Sequence, residues 1–108
     1  MIEQIINGIN YRLDEETKTA EVIKKRNGYE GDIIIPATVV FKERTYRVTS
    51  IGEKAFCKCS SLTKITIPES VESIGKYAFG RCELLTAIAI PESVMSIEIG
   101  AFRECSSL

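Results

Sequence analysis

The chain repeats itself with a period of 23 residues, and this period limits the folds that are open to it. A unit of that length cannot bury its own apolar side, so successive units must stack on one another to form one core. Seven apolar columns recur at this spacing: Val48, Val71 and Val94; Ile51, Ile74 and Ile97; Ala55, Ala78 and Ala101; Phe56, Phe79 and Phe102; Cys59, Cys82 and Cys105; Leu62, Leu85 and Leu108; and the pair Ile65 and Ile88.

The first two units each contain a strand motif that ends at a proline. Residues 62–67 and 85–90 have the spacing L-x-x-L-x-L, whose alternating end predicts a short strand. Pro68 and Pro91 lack an amide hydrogen, so each ends its strand at a corner. Residues 74–82 then carry apolar side chains at offsets 0, 4, 5 and 8, which favours a short helix. The sequence predicts an α/β solenoid of the leucine-rich repeat type, a right-handed coil of short parallel strands and short outer helices.

The third unit departs from the pattern at its corner. Glu98 stands where the first two units have Gly52 and Gly75, and Gly100 follows two positions later. If the two glycines adopt positive φ, a side chain at residue 98 is sterically unfavourable. We therefore expect this turn to be rebuilt locally.

Residues 1–47 lack the columns and alternate in the manner of β-strands. Apolar side chains alternate in residues 9–13 and 20–22 around a charged loop, which predicts a β-hairpin. Residues 39–48 predict a second hairpin, and residues 33–36 resemble the strand and proline of the later units. We expect residues 1–47 to form an N-terminal β-hairpin cap on the leucine-rich repeat coils of residues 48–108, within a single domain.

The opposite end carries no such segment. Leu108 is the first leucine of the next strand motif. We expect that the natural polypeptide continues with more coils, or that this open end pairs with a second copy to give a homo-oligomer.

Composition excludes several classes of function. Fourteen basic and fifteen acidic residues leave a net charge of −1, so we expect no nucleic-acid partner. The chain has no histidine, which removes Ser-His-Asp and Cys-His nucleophile pairs and the HExxH zinc helix. We expect no enzymatic activity, no cofactor and no membrane insertion, and the N-terminus has no features of a signal peptide.

The four cysteines invite a disulfide or metal interpretation. Cys59, Cys82 and Cys105 share one column, and Cys57 lies two residues from Cys59. A ladder of buried free thiols is the favoured interpretation, because parallel Cβ vectors make the disulfide torsion hard to satisfy. One disulfide and a metal site are the alternatives, although the Cys57–Cys59 spacing is tight for zinc.

Two polar segments are candidate binding sites. Lys24-Lys25-Arg26 is the only basic run, and a solvated turn explains it as well as a phosphate or glycan role does. The segment 28–32 has two glycines but no following helix, which disfavours a nucleotide-binding loop. Its Glu30 and Asp32 are too few to form a convincing cation site.

Solenoids usually bind partners on the concave face of their strands. The outward positions there are predicted to be Lys64 and Thr66 in one coil and Ala87 and Ala89 in the next. Two or three strands span only about 10–15 Å, less than a standard protein interface requires. We therefore expect this chain alone to bind a partner weakly through its concave face.

Residues 67–75, followed by Ala78, Phe79, Cys82 and Leu85, resemble the BspA-type leucine-rich repeat of bacterial surface proteins, common in Bacteroides and its relatives. The resemblance covers residues 48–108, from which Glu98 departs. Residues 31–39 and 46–52 also resemble the usual lead-in of the family. The resemblance implies a secreted or surface-anchored protein that adheres to matrix proteins or cells, with no catalytic residue.

On this basis we expect a non-enzymatic binding module that recognises a protein or glycan ligand on host or neighbouring cells through the concave strand face. The alternative is a structural spacer or self-assembly module that uses the open C-terminal end.

Overall fold

The structure, a computed structural model, describes residues 1–108 and contains ten β-strands and no helix. The strands are β1 (Ile2–Ile6), β2 (Ile9–Asp14), β3 (Thr19–Val22), β4 (Gly31–Ile34), β5 (Thr38–Phe41), β6 (Arg44–Ile51), β7 (Leu62–Thr66), β8 (Ser73–Ile74), β9 (Ala87–Ala89) and β10 (Ser96–Ile97). No helix long and apolar enough to cross a membrane is present.

The strands form two sheets. The seven-stranded sheet has the order β1-β2-β3-β6-β8-β10, with β5 paired to β6, and the three-stranded sheet has the order β4-β7-β9. The predicted parallel stacking of the repeat strands is confirmed, since Ile65 pairs with Ile88 at the 23-residue offset. A second parallel ladder, which the sequence reading missed, joins Ile51 to Ile74 and Ile74 to Ile97.

Both predicted hairpins are present in the first half. Antiparallel pairing joins β2 to β3 and β5 to β6, and the unpredicted β1 pairs with β2. The resemblance of residues 33–36 to the strand and proline of the later units is also confirmed, because Ile33 of β4 pairs in parallel with Ile65 of β7. That residues 1–47 act as a cap stays a prediction. One cluster of 24 buried side chains runs from Ile9 to Ala101, across both halves.

The predicted outer helices are wrong. Residues 52–59 and 75–82 form turns in which alternate amides donate within the coil, as Ala55 N does to Gly52 O. The amides between them donate to the next coil: Phe56 N to Ala78 O at 2.7 Å, and Phe79 N to Ala101 O at 2.8 Å.

Positive φ values in these turns give the physical reason for that correction. Lys54 and Lys58 in one coil, and Tyr77 and Arg81 in the next, adopt φ between 54° and 62°. A right-handed helix cannot pass through residues in this conformation, and it would direct every amide to an acceptor in its own segment. The apolar side chains still reach the core, since Ala78, Phe79 and Cys82 are buried.

An aromatic column runs through the stacked coils. Phe56 lies 5.0 Å from Phe79 between ring centroids, and Phe79 lies 5.4 Å from Phe102, with both pairs nearly parallel. Tyr29 extends the column beyond the repeats, 4.6 Å from Phe56. The three phenylalanines form one column of the 23-residue repeat, whereas Tyr29 lies outside the repeats and the period gave no signal for it.

The corner glycines serve a different purpose from the one expected. Neither Gly52 nor Gly75 has positive φ. A Cβ on Gly75 would lie 2.7 Å from Glu53 N and 2.8 Å from Gly52 C, so the absent side chain permits close approach of two coils. The Gly75 amide donates to Ile51 O of the preceding coil at 2.8 Å. Glu98 makes the equivalent hydrogen bond, from its amide to Ile74 O at 2.9 Å.

Gly100 is the corner residue that needs positive φ. Its φ is +69°, and a Cβ there would overlap the ring of Tyr77 in the preceding coil. Tyr77 and Gly100 occupy the same column 23 residues apart, so the large ring of one coil rests over the bare backbone of the next.

We expect Phe79→Ala to lower the free energy of unfolding by about 3–5 kcal/mol, because it removes a fully buried ring stacked on both faces. Phe102→Ala should cost less, since Phe102 is only partly buried and stacks on one face. Urea unfolding followed by circular dichroism measures both. Equal losses would contradict an aromatic column in which burial and stacking on both faces make Phe79 the more stabilising ring.

Candidate functional site

The solvent-exposed face of the three-stranded sheet carries the residues that the sequence analysis predicted for the concave binding face. We call this the sheet face. It consists of two rows that cross β4, β7 and β9, and all six residues are exposed. The rows are Asp32, Lys64 and Ala87, and Ile34, Thr66 and Ala89.

The structure brings the four predicted residues together and adds two that were missed. Lys64 pairs in register with Ala87, and Thr66 pairs with Ala89. Asp32 and Ile34 belong to the same rows because β4 is a rung of the same sheet. The strand-plus-proline pattern of residues 33–36 was the signal that could have placed them there.

The chemistry of the sheet face suits contact with a partner. Asp32 and Lys64 offer opposite charges on neighbouring strands, and Thr66 offers a hydroxyl group. Ile34, with 68% of its surface exposed, adds an apolar side chain. All of these side chains are open to solvent, and so to a partner.

The cysteine column links adjacent coils through hydrogen bonds. All four cysteines are free thiols, and Cys59 and Cys82 are buried. Cys82 Sγ donates to Phe56 O at 3.0 Å, and Cys105 Sγ donates to Phe79 O at 2.9 Å. Cys59 Sγ accepts from Tyr29 N at 3.4 Å. Cys82 and Cys105 thus each join their coil to the preceding coil, and Cys59 joins the first coil to the segment that contains Tyr29.

Burial keeps these thiols protonated. Desolvation raises the pKa of Cys82 to about 12, and it also raises the pKa of Cys59 and Cys105 above the ordinary value of 9.0. A protonated thiol is neither a nucleophile nor a metal ligand. No group of three or more His, Cys, Asp or Glu side chains is arranged to hold a metal ion, and Glu30 and Asp32 are no exception.

The basic run and the loop that follows it have separate surroundings. Lys24 and Arg26 are exposed, while Lys25 Nζ donates to Gly8 O at 2.7 Å and lies 4.7 Å from the ring centroid of Tyr29. Tyr29 is buried, and its hydroxyl donates to Ile23 O at 2.8 Å. The segment 28–32 therefore anchors the first half to the core and does not form a phosphate loop.

Comparison with known families matches this architecture. Residues 38–108 match the family described as BspA type leucine rich repeat region (6 copies). The chain belongs to the BspA-type leucine-rich repeat family. The resemblance expected from the repeat motifs is therefore confirmed. Leucine-rich repeat families of this kind are binding or structural modules, and no catalytic family is indicated.

Solved structures share the fold. A leucine-rich repeat protein from Bacteroides ovatus is 37% identical over 97% of this chain, with a TM-score of 0.88. A leucine-rich cell surface protein from Faecalibacterium prausnitzii is 29% identical over 99% of this chain, with a TM-score of 0.83. The T. pallidum leucine-rich repeat protein is 27% identical over 99%, with a TM-score of 0.81.

The chain spans 28%, 29% and 48% of those three proteins, in that order. No curated protein gives a significant match.

The raised thiol pKa predicts a loss of stability in alkali. Cys82 titrates near 12 in the folded state and near 9.0 otherwise, so above about pH 9 the unfolded chain releases a proton that the folded chain retains. This contribution to stability is complete below the lower pKa and disappears as the pH rises through the higher one.

We expect the free energy of unfolding to fall between about pH 9 and pH 12 more steeply in the unmodified chain than in Cys82→Ser. Urea unfolding under reducing conditions measures both. The buried Tyr11 and Tyr29, whose pKa values are also raised to about 12, contribute equally to the two chains. Parallel pH profiles would contradict a buried, titratable Cys82.

Proposed function

We propose that this chain is a non-enzymatic binding module of a bacterial surface protein, and that its sheet face contacts a protein or glycan ligand. The observation that carries the proposal is the separation of roles along β7 and β9. Lys64, Thr66, Ala87 and Ala89 are exposed, whereas Ile65 between them is buried in the core. The outward residues do not pack in the core, so their side chains can be substituted to suit a ligand without loss of the fold.

The family supports a surface location. One solved relative is described as a leucine-rich cell surface protein, from Faecalibacterium prausnitzii. A surface protein of this kind meets proteins and glycans of host or neighbouring cells, and the mixed polar and apolar chemistry of the sheet face suits either ligand class.

Size limits what this chain achieves alone. Three strands at about 4.8 Å spacing present a narrow surface, smaller than the roughly 800 Å² per partner of a standard interface. We therefore place this sheet face as part of a longer binding surface, since the solved relatives extend well beyond the region that this chain matches. Affinity of the isolated chain is expected to be weak.

A second candidate function is assembly through the last described coil. Tyr77, Phe79 and Arg81 donate their amides to the coil that follows them. The amides of Gly100, Phe102 and Glu104, 23 residues later, have no acceptor in the chain. Met95 and Ile99 are exposed at the same end, 85% and 69%. These groups would pair with a further coil or a second copy.

Light scattering across a concentration series separates self-association from the first proposal. A constant monomer mass removes the second-copy hypothesis and leaves the sheet face as the candidate interface.

We expect Ala89→Arg to weaken ligand binding by about tenfold or more, because a long charged side chain would replace a small one on the sheet face and obstruct a ligand there. The probes are a panel of purified extracellular-matrix proteins and an array of immobilised glycans. Ala37→Arg is the matched control, since Ala37 is exposed and lies outside the three-stranded sheet. Absence of binding to every probe, or equal weakening by both variants, would contradict the proposal.

A further inference from the structure

We propose that a basic groove on the turn side of the coils is a second binding site, and that its ligand is an acidic polysaccharide carrying sulfate or carboxylate groups. The groove has a volume of about 390 Å³. Its charged lining comes from the segment after β3 and from three successive coils: Lys24, Lys54, Lys58, Arg81, Arg103 and Glu104. None of the six sheet-face residues lines it.

Charge is strongly segregated around this groove. A cleft of about 460 Å³ adjoins it, shares Lys24 and Lys58, and adds Lys25 and Arg26. Together the two hold seven of the fourteen basic residues but only two of the fifteen acidic residues, Glu30 and Glu104. Although the net charge of the chain is −1, the surface around the groove is cationic and the rest of the protein is acidic.

The stacking of the coils places two cations on consecutive rungs. Lys58 and Arg81 occupy one column at 23-residue spacing, and the next residue of that column is Glu104. Lys58 N donates to Gly80 O at 2.7 Å, and Arg81 N donates to Arg103 O at 2.8 Å, so the coils follow one another at the spacing of paired β-strands. A ligand with regularly repeated anionic groups could meet successive rungs along this direction.

The lysines are the free charges of the groove. Glu104 is engaged by Arg81 at 3.0 Å and lies 3.8 Å from Arg103. Lys24, Lys54 and Lys58 have no ion pair. Three exposed ammonium groups converge on one concave surface without an internal counter-ion, which is the arrangement an external anion would neutralise.

Other polyanions fit this lining less well. Single-stranded nucleic acid requires several exposed aromatic rings on which successive bases stack. Tyr29 is 3% exposed, and Tyr77, the one aromatic residue that lines the groove, is half-buried. A lipid anchor requires several apolar side chains to pack against, but only two of the nine residues that line the groove are hydrophobic. The hydroxyl groups of Ser60 and Ser61 in the adjoining cleft can bond to those of a sugar.

The test compares two double variants of equal charge. Lys54→Gln with Lys58→Gln removes two lysines of the groove. Lys18→Gln with Lys42→Gln removes two exposed lysines elsewhere that share the same positive φ conformation. The probe is dextran sulfate, with neutral dextran, poly-glutamate and oligo-thymidylate as comparisons, and a thermal melt verifies the fold of each variant.

We expect the unmodified chain to bind dextran sulfate in a salt-sensitive manner and not to bind neutral dextran. The groove variant should bind about tenfold more weakly, while the Lys18 and Lys42 variant is unchanged. Ala89→Arg tests the sheet face against its own probes, so failure of this site is distinguishable from failure of the sheet face. Absence of dextran sulfate binding, equal losses in the two double variants, or equal affinity for poly-glutamate or oligo-thymidylate would overturn the proposal.

Cys57 provides an independent readout, because its half-buried thiol lines both the groove and the adjoining cleft. Saturating dextran sulfate should slow alkylation of Cys57 by iodoacetamide at least severalfold. Cys57→Ser identifies which labelling event belongs to this residue. An unchanged alkylation rate at saturation would place the ligand elsewhere and contradict the proposed site.

Discussion

The structure depends on hydrogen bonds that the turn segment of each coil makes to the next coil. Every second amide of that segment donates to a carbonyl 22 residues further on, as Lys54 N does to Lys76 O and Tyr77 N does to Ile99 O. The amides between them close tight turns in their own coil. This division satisfies the backbone while holding neighbouring coils at strand spacing. The stacked phenylalanines and the thiol hydrogen bonds follow from that spacing.

The same stacking produces two surfaces with different chemistry. The three-stranded sheet turns Lys64 and Thr66 outward in ordered rows, with small residues beside them. The turn segments place Lys58 and Arg81 on consecutive rungs, which gathers positive charge along a groove. A repeat unit therefore offers two independent positions for variation, one for each surface, while its buried columns keep the coil intact.

Much of this fold could be predicted from the sequence, because the repeat columns carry direct information about packing. Phe56 and Phe79 align at one offset, and so do the paired strand residues Ile65 and Ile88. The helices were predicted wrongly because apolar offsets of 0, 4, 5 and 8 fit a helix and a coil turn equally well. The hydrogen-bond partners that decide between them lie 22 residues away. The sequence analysis missed the basic groove for a similar reason, since Lys24 and Arg103 line the same groove only after folding.

Amide hydrogen exchange tests the central claim most directly, because the inter-coil bonds alternate along the chain and end at a defined coil. The account predicts slow exchange for the amides of Phe56 and Phe79, which donate to the following coil. It predicts fast exchange for the equivalent amide of Phe102, which has no acceptor. Equal protection at the three positions would contradict the account, since a local helix in each unit would protect them alike.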